Sequence, residues 1–283
     1  MKKQIAGFCS CFLGFLLLWP APARSQSSDF WRELYDADVV YLGEIHDSEA
    51  DAAAKLEILQ KLHQENPRLA IGLEMFQRPY QKFIDDYLAG NITEAEMVAL
   101  TEYDKRWGFP WEYYAPLLRF AKANGLRVIA LNAPSEAIRQ VARGGWDSLT
   151  TEQREWLPPL ADIRTDNDDY RQMIYQVYDE MHQGHGNSDS FERFFLVQVL
   201  WDETMAASIA DFIATNPNYQ VVVVAGQGHV MYGYGIPSRV ARRRDGLVQR
   251  SLLLSPANMP ERDGNNQPIA DFFWDEDLVK INN

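Results

Sequence analysis

Glu44, His46 and Asp47 follow directly on the apolar run VVYLG at 39–43, and Glu74 closes a second run, LAIGLE at 69–74. Asn132 ends a third, RVIALN at 127–132, and His229 lies in GQGH just after a fourth, VVVVAG at 221–226. One acid or histidine at the end of such a run is usually a helix cap or a turn closure. Four ends carrying two imidazoles and at least two carboxylates point instead to chemistry. If the ends converge, Glu44, His46, Glu74 and His229 can ligate a divalent metal ion and leave a position open for water or substrate. Without a metal the same four can act as acid and base, with a carboxylate fixing the imidazole tautomer. Two other chemistries lack their residues. No GxSxG surrounds a serine, and no glycine-rich loop ends in Lys-Ser or Lys-Thr.

The groups can meet only if the apolar runs lie side by side. With SLLLS at 251–255 there are five short runs, most of them rich in β-branched residues and separated by helical patterns. The clearest helical stretches are EADAAAKLEILQKLHQE (49–65), PWEYYAPLLRFAKANG (110–125, stopped by Gly125) and RFFLVQVLWDETMAASIADFIATN (193–216). This alternation predicts a layered α/β fold, with a mostly parallel central sheet flanked by helices. Ligands of such sheets bind beyond the carboxyl ends of the strands, where the polar groups collect. On the third helix Gln198, Asp202 and Met205 share a face, so Asp202 can orient His46 or His229 as a supporting acid, with Asn132 in a similar role.

The N-terminus reads Lys2-Lys3, the largely apolar IAGFCSCFLGFLLLW, then PAPARSQSS, the three zones of a signal peptide over 1–25. The apolar run falls short of the roughly 20 residues a bilayer span needs. The expectation is an exported protein of residues 26–283, periplasmic or in an equivalent extracytoplasmic compartment, with no transmembrane segment in the mature chain. Cys9 and Cys11 both lie in the segment to be removed, leaving no thiol for disulfides or zinc. Small residues before Cys11 are too few to favour a lipid anchor. A formal net charge of −13 disfavours nucleic acid as a partner. The run RVARRRD at 239–245 reads as a solvated helix end, and WGFPWEYY at 107–114 as an aromatic cluster that either packs or walls a flat ligand.

In order, GEIHD, GLEM, WEYYAPLLRFAKANGLRVIALNAP, QVLWDETMAASIA and VVVVAGQGHVMYGYGIPSRV resemble the ChaN-like family of haem-binding proteins across most of residues 26–283. More distantly the chain resembles the erythromycin esterases and the TIKI/TraB proteins, which share paired GxxH motifs and a strand-end glutamate. The first resemblance implies an exported haem binder in iron uptake, with haem shared across a homodimer. The second implies a metal-dependent hydrolase of a peptide, ester or lactone that uses Glu44, His46, Glu74 and His229. Where the family pattern carries a further histidine pair after GExHD, this chain has SEADAAA with Asp51 and Ala52, which weakens a histidine-rich metal site.

The stretch 150–195 connects no apolar runs and reads as a helical insertion, broken at Pro158-Pro159 and looped near QGHGNSDS. There the haem resemblance finds its candidates. Tyr178 and His182 lie four residues apart on one helical face as iron ligands, Ile174 and Met181 offer an apolar wall, and Arg171 a partner for propionates. Tyr170 and Tyr175 are the other tyrosines of the stretch, and helix packing is the competing use for all three.

Overall fold

The computed structural model describes residues 24–182, 188–255 and 259–274, so the signal-peptide segment before Arg24 lies outside the described residues. Six strands form one sheet in which every pairing is parallel: β1 (Val39–Glu44), β2 (Leu69–Gln77), β3 (Arg127–Asn132), β4 (Gln220–Gly226), β5 (Gln249–Leu253) and β6 (Phe272–Phe273), in the order β3-β2-β4-β1-β5-β6. The five apolar runs are thus the first five strands. The fifth starts two residues early, because Gln249 and Arg250 pair with Val39 and Val40. β6 has only two residues and no run of its own to announce it. Every residue of β1, β2 and β4 is buried, as expected of strands covered on both faces.

The helices are α1 (Arg24–Tyr35), α2 (Glu49–Glu65), α3 (Gln81–Leu88), α4 (Glu94–Leu100), α5 (Tyr103–Arg106), α6 (Ala115–Asn124), α7 (Ser135–Gly144), α8 (Thr151–Arg154), α9 (Asp168–His182), α10 (Ser188–Thr215) and α11 (Ile236–Arg243). Ser48 starts α2 by accepting a hydrogen bond from the Asp51 amide. The stretch 110–125 is split into a 3₁₀ turn at Trp111–Tyr113 and α6, which Gly125 ends in the left-handed region at φ 64°.

Alternation along the strands divides the core. Val40 and Leu42 of β1 and Ile71 and Leu73 of β2 pack with Ile58 and Leu62 of α2 and Leu117 and Leu118 of α6. Val39 and Tyr41, with Val221 and Val223 of β4, face Met205 and Ile209 of α10 and Val240 of α11 on the other side. The stretch 150–195 contains α8, α9 and the start of α10, which continues without a break into the helix covering the sheet. Tyr170, Ile174 and Tyr178 of α9 pack against Phe191, Phe195 and Val199 of α10.

The arginine run corrects the sequence reading. Arg239, Arg242 and Arg243 converge on the fully buried carboxylate of Glu203, at 3.3, 2.7 and 2.7 Å. A carboxylate without water needs such partners. The arginines are therefore an anchor between α10 and α11. No described helix is long and apolar enough to cross a membrane.

Candidate functional site at the strand ends

Three adjacent strands, β2, β4 and β1, deliver the polar groups to one place. Register sets Glu44 opposite Gly226. Alternation then sends the two glutamates to opposite faces: Glu44 follows Val40 and Leu42 toward α2 and α6, whereas Glu74 follows Ala70 toward α10. Their histidines meet over the end of β4.

On the α2 side, Glu44 is saturated. Its Oε1 accepts from the Tyr114 hydroxyl at 2.7 Å and lies 2.8 Å from His46 Nδ1, while its Oε2 accepts from the ammonium of Lys55, which is 1% exposed. The Lys55 ammonium also lies 4.2 Å from the centroid of the Tyr114 ring. Burial pushes the Glu44 carboxyl up, but His46, Lys55 and Tyr114 outweigh it and leave it below the usual carboxylate range. The His46 ring is flanked by Trp107 and Phe109 at 4.7 and 5.0 Å. A Cβ on Gly226 would lie 3.0 Å from His46 Nε2, so glycine leaves the space that ring occupies.

On the α10 side, His229 is held between acids. Its Nδ1 is 2.7 Å from Asp202 Oδ1 and its Nε2 3.5 Å from Glu74 Oε1, while Glu74 Oε2 accepts from the Gly226 amide at 2.7 Å. Burial lowers the imidazole, yet Glu74 and Asp202 overcome it and push it up to about 10. His46 is also raised: burial and the His229 charge oppose the shift, and the Glu44 hydrogen bond with the charges of Glu74 and Glu44 carries it. Asp202 Oδ2 accepts from the buried Tyr170 hydroxyl of α9, with Arg239 4.0 Å away.

Both imidazoles open into a cleft of about 460 Å³ whose apolar walls include Phe109, Met173, Ile174, Val177, Phe194 and Met231. Its size falls within the range of small-molecule sites. Asp51 and Ser48 do not enter it. Asp51 accepts from the Ile45 amide at 2.7 Å and the Ser48 hydroxyl at 2.8 Å, so it shapes the loop that carries His46.

Sequence reasoning brought Glu44, His46, Glu74, His229 and Asp202 together, and it is His229 that Asp202 supports. Asn132 stays apart at the end of edge strand β3, where its Oδ1 accepts from the Ala133 amide at 2.8 Å. Among the described residues no group of three or more His, Cys, Asp or Glu side chains is arranged to hold a metal ion. The reason is local: the carboxylates and imidazoles are turned toward one another and toward Lys55 and Tyr114. Lys55 was missed, although a lysine on the apolar stripe of Ile58 and Leu62 was the available signal.

The α9 candidates are placed separately. Tyr178 is 3% exposed, lies against Phe191 and Phe194 and hydrogen-bonds Ser190, so its hydroxyl is turned into the helix pair. Arg171 pairs with Glu192 and lies 5.0 Å from the rings of both Phe191 and Phe195. The side chains of His182 and Met181 lie outside the described residues. Tyr175 differs from its neighbours: it is 44% exposed and no described residue bonds its hydroxyl.

The family profile of haem-binding uptake proteins, Tiki superfamily, ChaN, matches residues 30–240. The chain belongs to the ChaN family. Among solved structures this ChaN-family chain is similar to ChaN of Campylobacter jejuni, with a TM-score of 0.66 at 19% identity, covering 82% of this chain and 87% of that one. That likeness establishes the shared α/β fold. A mutant of the erythromycin esterase EreC in its open conformation is also similar, at a TM-score of 0.49 and 14% identity over 80% of this chain and 72% of the esterase. A plant relative, the chloroplastic protein RETICULATA-RELATED 5 of Arabidopsis thaliana, is 27% identical over 268 residues, which is 90% of this chain and 36% of the plant protein. The chain therefore spans about a third of that relative's length.

Proposed function

We propose that this ChaN-family chain binds haem on the outer face of α9, as an exported protein of haem or iron handling. The observation that carries the location is Tyr175. Of the three α9 tyrosines, Tyr170 donates to Asp202, Tyr178 bonds Ser190, and Tyr175 alone is open to solvent. The surroundings fit the group. A phenolate oxygen is a haem-iron donor, the ring of Phe191 packed against Tyr175 is apolar, and Arg171 lies one turn earlier. When bound, haem would supply an iron that accepts an oxygen or nitrogen donor. Arg171 would trade Glu192 for a propionate, and Tyr175 takes over the role first expected of Tyr178.

One haem on an exposed helix leaves an apolar face in water. Two-fold pairing of α9 surfaces covers it with a second haem. The cofacial haem binding of the Campylobacter jejuni relative supports this arrangement. Haem titration into wild type and Tyr175→Phe, followed by the Soret band, tests the reading: a shifted band and weaker binding support it, and an unchanged titration removes Tyr175.

A second reading concerns the strand-end cleft, and the paired imidazoles favour it. His229, clamped by two acids, is a proton donor, while His46, fixed at Nδ1 by Glu44, presents Nε2 as a base. Environments that hold two titratable groups in different roles mark acid and base. Such a pair suits hydrolysis of an ester, peptide or lactone without a metal ion. Chelator-resistant hydrolysis of an activated ester that disappears in His46→Asn supports this reading, and an activity retained by that variant ends it.

A further inference from the structure

Lys55 is a buried charge that neither the haem surface nor the imidazole pair explains directly. It projects from α2 at a position where Ile58 and Leu62 continue an apolar stripe into the core. Buried lysines are rare unless paired, and the partner here is Glu44 Oε2. Burial lowers the Lys55 ammonium and Glu44 draws it back up in part. Asp51, four residues earlier on α2, adds a second negative charge on the same side.

The consequence runs through Glu44 to His46. A carboxylate that accepts from Lys55 and Tyr114 is an acceptor only, so what it meets at His46 Nδ1 must be a proton. Were Glu44 to become a carboxylic acid, its own proton could point at Nδ1 and the imidazole would carry its hydrogen on Nε2 instead. The Lys55 ammonium is the one of these partners of Glu44 that carries a fixed positive charge behind the acid.

We propose that Lys55 is a positioning residue that holds Glu44 as an acceptor-only carboxylate and so keeps His46 as the Nδ1–H tautomer, with Nε2 facing the cleft. The proposal rests on reading the strand-end cleft as a working site, but its test requires neither haem nor substrate. It also assigns a use to the burial of an ammonium that a methionine would fill without desolvation.

The experiment is long-range ¹H–¹⁵N NMR of the histidine rings in the haem-free full chain, at a pH where His46 is neutral. Wild type is expected to show His46 with a protonated Nδ1 and an unprotonated Nε2. In Lys55→Met the two nitrogen shifts should converge or exchange, and Lys55→Arg should restore the wild-type pattern. Tyr114→Phe, which removes a neutral donor, should leave the tautomer in place. Unchanged His46 shifts in Lys55→Met overturn the proposal. Should that variant not fold, the ¹³C shift of the Glu44 carboxyl in wild type decides: it must be that of a carboxylate throughout the pH range in which the His46 tautomer is read. A protonated Glu44 carboxyl in that range overturns the proposal equally, whatever becomes of the hydrolytic reading.

Discussion

Asp202 holds two residues from different parts of the chain, His229 through Oδ1 at 2.7 Å and the Tyr170 hydroxyl through Oδ2. The carboxylate thereby fastens α9 to the residues at the end of β4. Gly235 passes so close that a Cβ there would lie 2.3 Å from the His229 carbonyl oxygen and 3.0 Å from Asp202 Oδ1, so the joint is packed as well as bonded.

Tyr170→Phe cuts this tie while keeping the ring in its cluster. Among the described residues it leaves a buried carboxylate oxygen with only Arg239 at 4.0 Å, and the expected cost is about 1–3 kcal/mol. Hydrogen exchange should accelerate in α9 and remain slow in β1, β2 and β4. Equal acceleration in the sheet would show that the tie is no local anchor.

The alkaline limb of stability should belong to His229. Its folded value of about 10 exceeds the ordinary 6.5, so its contribution is complete below about 6.5 and is lost as pH rises toward 10. The limiting slope is about 1.4 kcal/mol per pH unit for one proton. Glu44 and Glu74 work in the opposite sense: both lie below 4.5, so their contribution is present above that pH and is lost as pH falls through their folded values. Urea midpoints measured from pH 6 to 10 should fall in wild type and run flatter in His229→Gln. Parallel curves would exclude His229 as the source.

Gly226→Ala should disturb the site more than the fold. The added methyl would meet His46 Nε2 at 3.0 Å and Cε1 at 3.1 Å, and the backbone conformation there is one any residue can adopt. The ring is expected to tilt toward the solvent side of the cleft, changing its NMR shifts with a loss of about 1–2 kcal/mol, within the range for tight insertions. Unperturbed His46 resonances would mean that the ring does not occupy this space in solution.

Export is tested on protein recovered from its native host. Mass spectrometry should find a new terminus between Arg24 and Gln26. A retained Met1 or a lipid on Cys11 would require a membrane-attached protein instead.

Much of the sheet was legible because buried parallel strands are written as continuous apolar runs, and β1 to β5 each had one. β6 was not, since two residues cannot form a pattern. The cluster of Glu44, His46, Glu74 and His229 was legible from its position after those runs, and Asp202 from its place on a helical face. Lys55 and Tyr170 were not recognised, because a lysine near an apolar stripe and a tyrosine among tyrosines each read as packing until their partners are known. The arginines at 239–243 misled for a related reason: Glu203, thirty-six residues before the first of them, is the buried acid they serve, and no local pattern links the two.

Haem binding through α9 is tested most directly by titrating haem into wild type, Tyr175→Phe and Tyr178→Phe, and reading the Soret position and affinity together. Tyr175→Phe should shift the band and weaken binding by at least about tenfold, or about 1.4 kcal/mol. Tyr178→Phe, which removes only a buried hydroxyl bonded to Ser190, should bind as wild type does, at a stability cost of about 1 kcal/mol. Wild-type spectra and affinity in Tyr175→Phe would contradict the account.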